Sequence, residues 1–156
     1  MRTTVGQFRA AAEAHLHVAG ASALSAPGVP KATPATAAYL SHMAVECSLK
    51  SLILKASKAP TTADLEQHHP RIYQALFTGR GGHRLSALAD HARVESHLQS
   101  NAPGAGDAAW RRMRGDARPY SLRYATEAVT AGEAQAELDL ARRLHSEIKP
   151  LLGRVG

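Results

Sequence analysis

The segment from Pro34 to Lys58 constrains the fold of this chain more than any other part of the sequence. Its hydrophobic residues recur at helical spacing, but at about 100° per residue they fall on two opposite faces rather than one. The two faces carry Leu40, Ala44, Cys47 and Leu54 on one side, and Val45, Leu49, Leu52 and Ile53 on the other. Because a helix that is apolar on two sides must be covered on both, we expect this one to lie at the centre of a bundle.

A polar strip of His42, Glu46 and Lys50 separates the two apolar faces, with each residue one helical turn from the next. Glu46 precedes Lys50 by four residues, the favourable order for a helical ion pair, so a structural pair is the simplest interpretation, with Arg123 as a further partner. The alternative is a charged group presented in a groove between helices. His42 and Glu46 could also start a metal site, but no further ligand pair is evident, and we expect neither metal nor cofactor.

The rest of the chain also favours helices. Hydrophobic spacing and capping signals predict helices over about 4–26, 83–99 and 131–152, with shorter pieces at 62–67, 71–78 and 107–114. The last helix starts with the capping-box pattern Thr130-x-x-Glu133, and we expect its buried stripe to end on Ile148 and Leu151. Asp107 is a candidate cap, and breaks are expected at Gly79–Gly82 and Gly115–Pro119. No alternating run of β-branched residues indicates a strand, and 156 residues suffice for one core. The sequence therefore predicts a single all-α domain over residues 1–156.

Charge and cysteine content restrict the class of protein. Lys and Arg number 19 against 13 acidic residues, a net charge of +6 that suits an anionic partner such as RNA or a nucleotide. The lone Cys47 excludes an internal disulfide, and its apolar face makes it a core residue rather than a nucleophile. No apolar run reaches the roughly 20 residues that span a bilayer, so we expect no membrane association and a cytoplasmic location.

The most nucleic-acid-like part of the sequence is an arginine-rich segment with aromatic residues between the basic ones. Its candidate RNA- or nucleotide-binding residues are Arg111, Arg112, Arg114, Arg118, Arg123, Tyr120 and Tyr124. Guanidinium groups suit phosphates, and aromatic faces stack on bases. An equally good interpretation is a solvated arginine face whose aromatic residues, Trp110 included, pack in the core.

Three elements in this order resemble the HEPN domain family. The first is Ala38-Tyr-Leu-Ser-His-Met-Ala-Val-Glu-Cys-Ser-Leu-Lys-Ser-Leu-Ile53, the second is His83-x-Leu85-x-x-Leu88, and the third is Trp110 followed by Tyr120-Ser-Leu-Arg-Tyr124. The resemblance implies an antiparallel bundle of four to five helices, often dimeric. It also implies a role in RNA cleavage, toxin–antitoxin or phage-defence systems, or nucleotide binding.

The chain departs from the ribonuclease members of that family, which carry Arg, four to six residues and then His near the start of a late helix. The matching region, 111–124, contains no histidine. Arg84 and His91 have the right spacing but lie on an earlier predicted helix, which leaves them weak catalytic candidates.

Three functions follow from these observations. The first is a non-catalytic HEPN-like protein that binds RNA, a nucleotide or a partner subunit encoded nearby through the arginine-rich segment. The second is a metal-independent ribonuclease toxin using Arg84 and His91, and the third is a purely structural oligomeric subunit. The many alanines of the first and last helices bury little area each, so we expect a homodimer that adds apolar burial, although a monomer remains an alternative.

Overall fold

The computed structural model describes residues 2–23, 33–94, 105–115, 117–124 and 128–153. In these ranges the regular elements are all helical, apart from an isolated β-bridge between Thr4 and Thr61. The α-helices are α1 (Val5–Ala23), α2 (Pro34–Ala56), α3 (Thr62–His68), α4 (Pro70–Leu76), α5 (Leu85–His91), α6 (Ala105–Met113), α7 (Arg118–Arg123) and α8 (Ala131–Leu152). A 3₁₀ helix, Gly79–His83, lies between α4 and α5. The all-α prediction is confirmed.

Helix α2 is the central element, as its two apolar faces predict. It begins with Pro34 after the N-cap Thr33, whose side chain accepts a hydrogen bond from the backbone N–H of Thr36. Fourteen of its 23 residues are buried, because α1 and α8 cover it along much of its length and α5 and α7 contact it as well. Glu46 and Lys50 on this helix are therefore enclosed by its neighbours, whereas Lys55 near its end is exposed.

The main core forms where α2 meets the later helices. Leu49 and Ile53 of α2 are fully buried in the same cluster as Leu88 of α5, Trp110 of α6 and Leu144 of α8. Burying side chains of this size contributes about 1.5–3 kcal/mol each. The core therefore holds α6 and α8 against the helix that carries the polar strip.

Helix α8 has the predicted bounds, and only its pattern of burial near the end differs from the prediction. The predicted capping box is present, since the Glu133 backbone N–H donates to the Thr130 side chain and the Thr130 N–H donates to the Glu133 carboxylate. Leu151, expected to be buried, is 59% exposed, and Leu152 is buried instead. The next buried residue after Ile148 lies four positions further along the helix, so Leu152 rather than Leu151 packs in the core.

The predicted helix over 83–99 is shorter than expected. Helix α5 ends at His91, and Arg93 adopts a positive φ of 58°. The backbone N–H groups of Arg93 and Val94 donate to Asp90 and Ala89, which closes the helix with a Schellman motif. Glycine is the usual signal for that motif, so an arginine gives no warning of it. Residues 95–99, with Leu98, lie outside the described residues, as do 24–26 of the predicted first helix.

Two further local predictions were wrong and one was correct in part. Gly79–Gly82 separates α4 from α5 as expected, but it does so as part of the 3₁₀ helix. The predicted break at 115–119 ends early, because Pro119 lies in the first turn of α7, where its missing N–H costs no hydrogen bond. Asp107 does not cap α6, which begins two residues earlier, at Ala105.

Over the part of the chain that the structure describes, no helix combines the length and the apolar character needed to cross a membrane.

Candidate functional site

The polar strip of α2 is buried and joined to a residue from outside the helix. Glu46 is only 3% exposed, and its carboxylate accepts hydrogen bonds from Lys50 Nζ at 2.7 Å and from His83 Nδ1 at 2.9 Å. Lys50 Nζ also lies 5.5 Å from the centre of the Phe77 ring. His83 therefore occupies the position beside Glu46 where the sequence suggested Arg123.

Gly82 allows the chain to bring His83 to Glu46. A Cβ on Gly82 would lie 3.3 Å from the carbonyl carbon of Phe77 and 3.6 Å from Lys50 Nζ. The backbone at Gly82 thus passes very close to the backbone of Phe77 at the end of α4, and a side chain here would require a small displacement.

The hydrogen bonds among Glu46, Lys50 and His83 set the charges of Glu46 and His83. Burial raises the pKa of Glu46, but the hydrogen bonds and charges of His83 and Lys50 outweigh burial and leave that pKa below its ordinary value. The hydrogen bond to Glu46 raises the pKa of His83 above its ordinary value. Because a carboxylate only accepts, His83 Nδ1 carries the hydrogen, and Nε2 is left for a ligand.

His42 forms the floor beneath this pair. Its side chain is fully buried, and its Nε2 lies 3.4 Å from the backbone oxygen of His83, which fixes Nε2 as the donor. Burial lowers the pKa of His42 to about 4, so the imidazole is neutral at physiological pH. We call His42, Glu46, Lys50 and His83 the Glu46 network.

A shallow recess opens above the Glu46 network. We call it the His83 recess; it is lined by Tyr39, Met43, His83, Pro119, Tyr120 and Arg123. Its volume is about 20 Å³, enough for roughly one water-sized group. The Tyr120 ring meets His83 edge-on, with ring centres 6.1 Å apart, and the Arg123 guanidinium lies 5.9 Å from the centre of the exposed Tyr124 ring.

The recess combines groups that suit an anion with an attached ring. Arg123 is exposed, and the His83 side chain is 40% exposed, so both can contact a ligand. Tyr120 and Tyr124 are 37% and 69% exposed and offer aromatic surface beside them. An imidazole held by a buried carboxylate can also donate or accept a proton.

Comparison with known proteins found no relative of this chain. The chain matches no protein-family model, no curated protein and no solved structure. The resemblance to HEPN domains therefore stays a prediction.

The structure separates the arginine-rich segment into residues with different surroundings. Arg112 Nε and Arg118 Nη2 donate to the same oxygen of Glu137 on α8, at 3.2 and 2.5 Å. Glu137 is fully buried and Arg118 is 7% exposed. Burial raises the pKa of Glu137, and the two guanidinium groups offset only part of that effect. These two arginines therefore tie α6 and α7 to α8.

The other residues of the segment lie at the surface. Arg111 is exposed and pairs with Asp107 one turn earlier, and Arg114 is also exposed. Arg123, Tyr120 and Tyr124 belong to the recess or its edge. Trp110 is 1% exposed, as the alternative interpretation of the segment expected.

The weak catalytic candidates Arg84 and His91 are not brought together. Arg84 is the N-cap of α5 and His91 is its last residue, and both are exposed. Seven residues of helix place their backbones about 10 Å apart along the axis.

The Ser48–His145–Glu13 arrangement and the thiol of Cys47 resemble catalytic groups, but neither can act on a substrate. Ser48 Oγ lies 3.0 Å from His145 Nδ1, and His145 Nε2 lies 3.6 Å from Glu13, but Ser48 is only 1% exposed. Burial raises the pKa of the Cys47 thiol to about 12, so it is no nucleophile. Across the described ranges, no three His, Cys, Asp or Glu residues are grouped so as to hold a metal ion.

His83 is the functional residue that sequence reasoning missed. It entered only through the family-like element His83-x-Leu85-x-x-Leu88, and not as a site residue. The signal in the sequence was indirect: Gly82 precedes it, and a buried Glu46 needs hydrogen-bond donors in addition to Lys50.

Proposed function

We propose that this protein is a non-catalytic, HEPN-like binding protein that binds a phosphate group of RNA or of a nucleotide at the mouth of the His83 recess, with one phosphate oxygen entering it. The observation that carries the proposal is the convergence of His83 and Arg123 beside exposed tyrosines, above a buried carboxylate that orients the imidazole. Protonated imidazole and guanidinium groups both form charge-assisted hydrogen bonds to phosphate oxygens.

Each part of the site has a distinct role in this proposal. Glu46 favours the protonated form of His83 and fixes its ring, while Arg123 supplies a charge that does not depend on pH. Tyr120 and Tyr124 provide faces on which a base stacks. Because the His83 pKa is raised, we expect phosphate affinity to be highest below that pKa and to fall as pH rises through it.

The wider assignment rests on the same features. Helix α2 covered on both sides supports a HEPN-like antiparallel bundle, and the basic composition supports an anionic partner. We propose a cytoplasmic homodimer, acting in a toxin–antitoxin or phage-defence setting with a partner encoded nearby. Light scattering coupled to size exclusion tests the dimer, and a mass near 16.6 kDa would refute it.

A ribonuclease is the second candidate, favoured by the His83–Glu46 pair alone. A carboxylate-oriented imidazole that lines a recess is suited to move a proton from or to a ribose or leaving-group oxygen. His83 would then replace Arg84 and His91 as the catalytic residue. Incubation with total RNA separates the two functions: cleavage that disappears in His83→Gln supports the enzyme, and intact RNA supports the binding protein.

Fluorescence anisotropy with labelled single-stranded RNA and with a labelled nucleotide tests the binding proposal. Arg123→Ala is expected to weaken binding about tenfold to a hundredfold, as for a charge-assisted hydrogen bond of about 1.5–3 kcal/mol. Arg111→Ala is the matched control, because it removes an exposed arginine of the same segment that pairs with Asp107. Equal losses in the two variants, or binding that does not depend on salt, would contradict binding at the recess.

A further inference from the structure

A second concave site lies between the first turn of α1, the end of α2 and the last turn of α8. It has a volume of about 520 Å³, within the range of small-molecule sites. Its apolar lining residues are Val5, Leu54, Ala59, Pro60 and Leu152. We call it the Lys58 groove, because Lys55 and Lys58 also line it.

Lys58 holds its position through an unusual backbone conformation. It has a positive φ of 52°, and the N–H groups of Lys58 and Ala59 donate to Lys55 and Leu54, which closes α2 with a Schellman motif. Glycine adopts this conformation without strain, whereas lysine does not. A strained residue with an exposed ammonium group at a groove is a reason to look for a ligand.

Lys55 brings a second ammonium group to the same groove. Its Nζ donates to the backbone oxygen of Leu152, the last residue of α8. An ammonium carries three N–H donors, and this contact uses one of them. Two cations therefore line one apolar groove, and the other polar side chains there, Thr4 and Thr61, are neutral.

We propose that the Lys58 groove binds an unbranched aliphatic carboxylate, a fatty acid or a closely related amphiphile. The hydrocarbon chain packs along Val5 and Pro60, which are more exposed than the other apolar lining residues, and the carboxylate pairs with Lys55 and Lys58. A ligand that is apolar with one anionic end matches this lining, whereas a polyanion such as RNA leaves the apolar surface uncovered. This inference is independent of the function proposed for the His83 recess.

Calorimetric titration with hexanoate, octanoate, octanol and octylamine tests the proposal. Two further buried methylenes are expected to make octanoate bind about tenfold more tightly than hexanoate. Octanol is expected to bind about tenfold more weakly than octanoate, and octylamine more weakly still. Equal affinity for hexanoate and octanoate, or no saturable binding at millimolar octanoate, would overturn the proposal.

Two variants keep the test independent of folding. Lys58→Gly relieves the strained φ and is expected to reduce octanoate affinity about tenfold while leaving octanol binding unchanged. Gly6→Leu is expected to block both ligands by filling the groove, because Gly6 lines it and the nearest contact of an added Cβ, Thr4 Oγ1, is 3.8 Å away. Both substitutions also favour their local backbone conformation.

Arg93→Gly is the matched control for Lys58→Gly. It removes one cation and relieves one strained positive φ at the end of α5, at a residue outside the Lys58 groove. Unchanged octanoate affinity in Arg93→Gly supports the proposal, and a loss equal to that of Lys58→Gly refutes it. If octanoate does not bind and Gly6→Leu converts a dimer to a monomer, the groove is instead an interface between two copies of the chain. That result would overturn the proposal of a fatty-acid ligand.

Discussion

Replacing Glu137 with leucine is expected to destabilise the protein by about 3–5 kcal/mol, the usual cost of removing one partner of a buried ion pair. The cost exceeds that of a surface pair because Glu137 is fully buried and Arg118 is 7% exposed. The substitution Glu137→Leu would leave the Arg118 guanidinium buried without its carboxylate. Arg112 adds less, since its side chain is 29% exposed.

A double variant replaces both partners of the buried pair between Glu137 and Arg118. Glu137→Leu with Arg118→Met removes both charges and fills the space with apolar atoms, so the double variant is expected within about 1 kcal/mol of the original protein, or above it. Urea unfolding followed by circular dichroism measures both. With a slope of about 2 kcal/mol per molar, the single Glu137→Leu change lowers the midpoint by about 2 M.

The control variant is Arg111→Met. Arg111 pairs with Asp107 at the surface, so its loss is expected to cost less than about 1 kcal/mol. The reasoning fails if Glu137→Leu costs no more than Arg111→Met. It also fails if the destabilisation of the double variant equals the sum of the two single changes, since the two groups would then not be coupled.

Three further predictions concern the core and the Glu46 network. The pKa of His42 is about 4 in the folded protein against 6.5 in the unfolded chain, so between these values the unfolded chain binds a proton that the folded protein does not. The free energy of unfolding is therefore expected to fall by about 3 kcal/mol as the pH drops from 6.5 to 4. His42→Leu should remove this loss, whereas the control His91→Gln should not. The pH dependence of the His83 contribution has the opposite sign, because the pKa of His83 is raised in the folded protein. Its contribution to stability is fully present below the pKa of the unfolded chain and is lost as pH rises through the pKa of the folded protein. His83→Gln should therefore flatten the alkaline side of the stability profile measured by urea unfolding. Leu49→Ala is expected to cost about 2–5 kcal/mol in thermal or urea unfolding, against less than about 0.5 kcal/mol for Leu151→Ala at the surface; equal costs would contradict the burial of Leu49.

Local sequence signals identified the elements that depend on neighbours in the chain. The Thr130–Glu133 capping box and the two apolar faces of α2 were readable because each arises within a few residues. The end of α5 was not readable, because Arg93 adopts a conformation for which the sequence offers no glycine. Leu151 and Leu152 are equally apolar, so only packing decides which of them is buried.

The candidate site was predicted in part. His42, Glu46 and Lys50 were recognised as one strip because four-residue spacing places them on one side of a helix. Their partner His83 is 37 residues from Glu46 in the chain, so no local pattern could pair them. The pairing depends on how the chain folds between α4 and α5, where the backbone at Gly82 lies close to that of Phe77.

The sequence by itself determined that the regular elements in the described ranges are helices, that α2 is central and that a polar strip runs along it. These properties follow from periodicity and from backbone preferences, which act over a turn or two. Only the tertiary structure decided which charged side chains are buried and which are exposed. Arg118 is buried against Glu137, whereas Arg123 is exposed at the His83 recess. Two arginines five residues apart have the same intrinsic chemistry, and the difference between them comes from which helix packs over each one.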